Sequence, residues 1–314
     1  MNFNFDFVNR RKWWYALSLL VIIPGLIAMA LHLAQHRSIL NFGIDFTGGN
    51  IIQVQFHQPV TSGQVRDVLD GLNLGKSSIQ ESGSNQFLIR TTELNEEQTN
   101  QVISTLQSKL GQLDLKRNEK VGGTIGRELT IRGVEAMVIA WILMIIYITI
   151  RFEFLSGLAA ILALVHDVLV TIGFFALFRW EVDSTFIAAI LTIIGYSIND
   201  TIVIFDRIRE NLRLRKKETI EEVVNRSINQ TLTRSINTVL TVIFALLALI
   251  LLGGETTRTF ALAMLIGTIS GCYSSIFTAS PLWIDFRHLS RERHRQAAAV
   301  QTSTKARTRK ATSH

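Results

Sequence analysis

Six long stretches almost free of charge dominate this 314-residue chain, and they constrain it more than any other feature. They run from about Trp13 to Leu31, Val134 to Ile150, Phe154 to Phe178, Ser184 to Phe205, Ile236 to Leu252 and Thr259 to Trp283. Runs of roughly 17–25 apolar residues are long enough to cross the hydrocarbon core of a bilayer as helices. The first is longer than a signal-peptide core and opens on Trp13, Trp14 and Tyr15, an interfacial anchor, so it reads as an uncleaved span. Pro24-Gly25 in its middle predicts a kink. Charged residues make up 18% of the chain, below the roughly 25% of soluble domains. A soluble enzyme, a disulfide scaffold and a disordered chain are thereby excluded. Cys272 has no partner for an internal disulfide and reads as a buried small hydrophobe.

The net charge of +7 becomes an orientation signal once it is mapped onto the spans. Arg10, Arg11, Lys12, Arg151, the 206–235 region and the tail collect the Lys and Arg on one side. Six spans put both termini on that side, which the positive-inside rule assigns to the cytoplasm. No nucleic-acid partner is expected. The chain then divides into a cytoplasmic N-terminus (1–12), a first span (13–31), an extracytoplasmic domain (32–133), five further spans (134–283) and a basic, disordered tail (284–314). An amphipathic cytoplasmic connector is expected at about 206–235. Its basic run is a topology anchor within reach of membrane lipids.

Within 50–121 the period switches between two and 3.6 residues. The order strand, helix, strand, strand, helix, strand is that of a split βαβ, ferredoxin-like domain. No catalytic constellation is visible there. Before it lies Gly43-Ile44-Asp45-Phe46-Thr47-Gly48-Gly49, which reads as a glycine turn with an Asx-type cap. A phosphate loop is excluded, because no Lys-Ser/Thr follows the glycines.

Ionisable groups inside spans are costly and point to function. The third span holds His166-Asp167, and the fourth holds Asn199-Asp200, Asp200 lying roughly 24 Å along from Ser184. Arg234 stands at the entry to the fifth. Each of the last four spans has one small, polar stripe. These are Ser156, Ala160, Ala163, Asp167 and Thr171; Ala189, Thr192, Tyr196 and Asp200; Arg234, Thr238, Thr241, Ala245 and Ala248; and Gly267, Gly271, Ser274 and Thr278. Gly267 and Gly271 form a small-xxx-small pair suited to close helix packing. Asp200 and Arg234 share a depth, and a contact between them reads either as a static ion pair or as a carboxylate that exchanges a proton. No metal-ligand spacing is present. Only six helices carry these stripes and no internal repeat is visible, so a second half on another chain is expected to supply facing walls.

Five blocks carry a family resemblance. Asn41–Gly49 (NFGIDFTGG), Leu162–Val168 (LALVHDV), Gly195–Asn211 (GYSINDTIVIFDRIREN), Thr233–Thr238 (TRSINT) and Leu252–Pro281 resemble, in order, the signature blocks of the SecF family of bacterial protein translocase subunits. The resemblance covers about Phe7 to Leu282, with Gly123 where a proline is common in the family. It implies a membrane all-α, six-span half of a resistance-nodulation-division type transporter in the bacterial cytoplasmic membrane. The partners it implies are SecD, the SecYEG channel and a preprotein, with the proton gradient in place of a cofactor and no enzymatic activity. By motif position, Asp200 and Arg234 lie on the proton path, with Asp167 a further candidate. Gly43, Asp45, Gly48, Gly49, His166, Asn199, Asp206, Arg207, Glu210 and Asn211 are motif residues. A translocase scaffold that moves no protons and a small-molecule exporter of the same superfamily are the alternatives.

Overall fold

The computed structural model describes residues 5–36, 38–75, 77–81, 83 and 85–292. The chain divides into two compact units: Leu40–Met137 with Trp180–Ile187, and Ile39 and what precedes it with Val138–Arg179 and Ala188 onward.

The membrane unit begins with α1 (Arg11–His36). It runs unbroken through Pro24; there Gly25 meets the backbone of Gly173, which a Cβ would approach to 2.5 Å. Gly25 therefore serves a close helix crossing.

In the polar unit, β1 (Asn41–Phe42) leads into the one-turn α2 (Ile44–Thr47) and β2 (Gly49–Phe56). Then follow α3 (Ser62–Asp70), β3 (Ser78–Glu81), β4 (Gln86–Thr91), α4 (Glu96–Leu110) and β5 (Leu113–Val121). The four-stranded sheet has the order β3-β4-β2-β5 and every neighbouring pair is antiparallel. Thr61 and Asn95 each close a capping box at the start of α3 and α4, satisfying donors that a helix start leaves free. Val65, Val68 and Leu69 from α3 and Val102 and Leu106 from α4 pack on Ile52, Val54, Phe87 and Ile89 of the sheet. This core follows directly from the alternation in the strands and the 3.6-residue period in the helices.

The remaining helices are α5 (Gly123–Arg151), α6 (Phe154–Phe178), α7 (Ser184–Leu214), α8 (Ile220–Leu252) and α9 (Glu255–Ser274), with the two-residue β6 (Glu181–Val182) before α7. A π-helical turn, Ser275–Ala279, follows α9, and helical backbone continues to Glu292. Six helices are long and apolar enough to cross a membrane, and the chain is a multi-pass membrane protein. The α6, α7 and α9 spans are about half buried, whereas α1, α5 and α8 expose most of their apolar surface.

Three boundaries differ from the sequence reading. The connector expected at 206–235 is no separate element: α7 continues to Leu214 and α8 starts at Ile220, capped by Thr219. Charged residues such as Arg207 and Glu210 pair across helical turns, so the helices outlast their apolar runs. The sixth span passes the expected tail start at 284, because Ile284 is buried and Asp285 is held by Arg11 at 2.9 Å and Tyr15 at 2.9 Å. The rest of the expected tail, 293–314, lies outside the described residues. Finally, α5 begins at Gly123, ahead of its apolar run.

Candidate functional site: two intramembrane carboxylates

Asp167, midway along α6, is fully buried. Its Oδ2 accepts hydrogen bonds from Ser197 on α7 and Ser274 on α9, both at 2.7 Å. Its Oδ1 accepts one from Ser270 on α9 at 2.7 Å and lies 3.0 Å from His166 Nδ1. Burying a carboxylate costs several kcal/mol, roughly, unless hydrogen bonds replace its water. Four polar contacts on two oxygens supply that replacement and join three helices. The His166 ring stacks on Tyr273, centroids 5.8 Å apart, and its buried Nε2 has no hydrogen-bond partner among the described residues.

Asp200 lies nearly a turn beyond Ser197 on α7 and is half-buried. Ser235 of α8 donates to its Oδ1 and Ser275, at the head of the π turn, to its Oδ2, each at 2.5 Å. A carboxylate can accept about four hydrogen bonds. Two serine donors leave Asp200 with lone pairs to spare and a path to its surroundings.

The Asp200–Arg234 contact expected from the sequence is not formed. Arg234 precedes Ser235, is exposed, and forms no ion pair among the described residues. It lines a cavity of about 240 Å³ with Asp206, Arg207, Glu210 and Gln230. Shared depth does not imply contact: adjacent helical positions point about 100° apart, and Ser235 takes the inward one.

The stripes also divide differently. Those on α6 and α9 are enclosed inside this chain, Ser274 reaching Asp167 while Gly267 and Gly271 pack on α7, and are not turned toward a second half. Arg234, Thr238, Thr241, Ala245 and Ala248 on α8 are all exposed. On α7, Ala189 is buried while Thr192 is exposed and Tyr196 half-buried, its hydroxyl donating to the Thr238 carbonyl at 3.2 Å.

Gly267 and Gly271 bring α9 onto α7. A Cβ on Gly267 would come within 2.2 Å of Ile193 Cδ1, and one on Gly271 within 2.9 Å of Ser197 Cβ. Their absence of side chain lets Ser197 and Ser274 reach the same oxygen of Asp167. Cys272, read as buried, is half-buried.

The other motif residues lie along α7 or belong to the polar unit. Asn199 is exposed. Asp206 pairs with Arg151 at 3.3 Å and Arg207 with Glu210 at 2.9 Å. Asn211 is buried and donates to Ser227 and Gln230 across to α8 at 2.8 and 2.9 Å. In the polar unit, Gly48 and Gly49 have φ of +72° and +127°, and a Cβ on Gly49 would lie 2.3 Å from the Thr91 carbonyl oxygen. Asp45 makes no local Asx cap. Its Oδ2 accepts the Ser184 backbone N–H at 2.8 Å, placing a negative charge at the N-terminus of α7. Gly43 donates its N–H to the Val182 carbonyl at 2.8 Å, and its lack of a side chain leaves room for the Glu181 carboxylate, which pairs with Arg90. Burial, followed by the nearby Arg117, lowers the Arg90 guanidinium from its ordinary value.

The serines were not singled out from the sequence, apart from Ser274. The available signal was spacing: Ser270 and Ser274 stand one turn apart, and Ser197 three residues before Asp200.

Residues 101–289 match the family model for the C-terminal region of the protein export membrane proteins SecD and SecF, and residues 40–60 match that for the SecD/SecF GG motif. The protein translocase subunit SecF of Acidaminococcus fermentans is 45% identical over 291 residues, covering 90% of this chain and 97% of the relative. The chain belongs to the SecF family. The SecF subunit of Sebaldella termitidis is 46% identical over 248 residues, covering 77% of this chain and 80% of that one. The crystal structure of SecDF, a translocon-associated membrane protein from Thermus thermophilus, superposes with a TM-score of 0.82 at 36% identity over 91% of this chain. The chain spans about two-fifths of that SecDF, covering 39% of its length. A family of translocase subunits makes this protein a component of protein transport. Among the described residues no cluster of three or more His, Cys, Asp and Glu could hold a metal ion.

Proposed function

We propose that this chain is the SecF half of a SecD–SecF unit that draws on the proton gradient, without a bound cofactor, to promote preprotein translocation through SecYEG. The chain sits in the bacterial cytoplasmic membrane with both termini in the cytoplasm. Its polar unit is then an extracytoplasmic, ferredoxin-like domain, a reading supported by its βαββαβ order and antiparallel sheet.

One observation carries the reading: a half-buried carboxylate and an arginine with no ion-pair partner among the described residues sit on adjoining helices. An arginine and a polar stripe exposed to lipid are costly, so the α8 face calls for a partner wall. SecD supplies it. Asp200, beside that face, is the group that takes up and releases the proton. Each proton crossing about 100 mV releases about 2.3 kcal/mol, enough to bias a conformational change where ATP is absent. Asp167, enclosed by its donors, maintains the helix geometry around that path.

The hydroxyl bonds from Ser235 and Ser275 to Asp200 also fit a static scaffold, and a single test separates the two readings. In vesicles holding equal amounts of each variant, Asp200→Asn is expected to assemble with SecD yet lose gradient-stimulated preprotein export. Wild-type stimulation in that variant would favour the scaffold. Reporter fusions at Gly75 and Lys217 test orientation, with an extracytoplasmic signal expected at Gly75 and a cytoplasmic one at Lys217.

A further inference from the structure

A second cavity, of about 290 Å³, opens at the end of the membrane unit where α5 gives way to α6. Phe152, Phe205 and Trp283 form apolar walls, and Arg209, Arg213 and Arg287 line the same space. None of the three arginines forms an ion pair among the described residues. Arg209 donates to the Arg151 carbonyl at 3.0 Å, and Arg287 lies over the Trp283 ring, 4.9 Å from its centroid. Both guanidinium groups are thus held in place with donors left over. Glu153 is the acidic residue lining this cavity, and its carboxylate accepts the Trp283 indole N–H at 2.6 Å. Three positive charges against one negative charge leave a net of two positive.

We infer that this cavity binds the phosphate headgroup of an anionic phospholipid, with the acyl chains running down the apolar wall. The placement fits that ligand. Arg209 and Arg213 lie in the last turns of α7, Trp283 and Arg287 lie in the final third of the sixth span, and Phe154 and Leu214 are exposed. Arginines ending membrane helices beside a tryptophan sit at headgroup depth, where planar guanidinium forks match phosphate oxygens. Half-buried Phe152 and the exposed Phe154 and Leu214 give acyl chains apolar surface that a soluble anion would leave uncovered. The lipid leaflet follows from the orientation under the proposed function. Binding in detergent does not depend on that orientation, so failure of one leaves the other testable.

The test uses the full chain in mild detergent, read by native mass spectrometry and thermal stability. Phosphatidylglycerol is expected to be retained at least about tenfold more strongly than phosphatidylcholine and to raise the melting temperature more. Arg209→Gln with Arg287→Gln should remove most of that preference, since each guanidinium–phosphate contact is charge-assisted. Arg215→Gln with Lys217→Gln removes the same charge outside the cavity and should retain the preference. Equal retention of the two lipids, equal loss in the two double variants, or displacement of the lipid by millimolar inorganic phosphate would each overturn the proposal. Should the arginine variants fail to fold, the wild-type melting shifts with the two lipids and inorganic phosphate decide it.

Discussion

Ser274 and Ser275, adjacent in sequence, donate to different aspartates: Ser274 to Asp167 Oδ2 at 2.7 Å and Ser275 to Asp200 Oδ2 at 2.5 Å. The π-helical turn starts at Ser275. An extra residue in a helical turn changes which side chains face inward, and such turns gather at functional sites. On α7, Ser197 donates to Asp167, and Asp200, three residues on, is the second centre. Ser275→Ala leaves Asp200 with the Ser235 bond alone among the described residues. We expect a destabilisation of about 1–2 kcal/mol, measured by denaturant titration in detergent, with assembly intact.

The two aspartates should respond differently to substitution. Asp167→Ala strands three buried hydroxyls and the His166 ring, at a cost of about 3–5 kcal/mol, comparable to breaking other buried charged networks. The variant should fail to accumulate in the membrane, whereas Asp200→Asn should accumulate normally. Immunodetection of membrane fractions separates these outcomes, and equal accumulation of both would refute the hub role of Asp167.

Because Arg234 and Asp200 are not in contact, their substitutions should be independent in the isolated chain. A double-mutant cycle with Asp200→Asn and Arg234→Met should give a stability coupling below about 0.5 kcal/mol. A direct ion pair would give a clearly larger value.

Close packing at Gly267 predicts rescue. Gly267→Ala drives a methyl into Ile193, an overpacking that costs about 1–3 kcal/mol. Ile193→Val, which trims the Cδ1 atom 2.2 Å from that methyl, should restore part of the loss. Thermal denaturation of the single and double variants gives the comparison, and additive losses would mean the two sites do not meet. Gly271→Ala has no such remedy, because the atoms nearest its Cβ belong to Ser197, a donor to Asp167.

Gly49→Ala should be severe for another reason. Its φ of +127° is open to glycine and strained for alanine, and the new Cβ would meet the Thr91 carbonyl oxygen, a backbone atom. Strain of about 1–3 kcal/mol plus a backbone clash should expose the polar unit to protease. Limited proteolysis of the full chain would show this, and wild-type resistance would contradict it.

The six spans, the βαββαβ order and the core of the polar unit were legible in the sequence. Hydropathy and periodicity act within a few residues along the chain, so their signals survive without a fold. The aspartates were legible too, since a charge in an apolar run stands out wherever it points. Their partners were not. Whether Asp200 meets Arg234 or Ser235 depends on a 100° rotation of α8 about its axis, which packing against neighbours sets. The role of Asp45 at the N-terminus of α7 joins residues 139 apart. Ser274 and Ser275 reach different carboxylates only because α6 and α7 bring Asp167 and Asp200 to either side of the π turn's start. Which polar stripe is enclosed and which is left open was likewise decided by tertiary packing. All four stripes look alike in sequence, but close contacts such as those at Gly267 and Gly271 enclose the α6 and α9 stripes and leave that of α8 free.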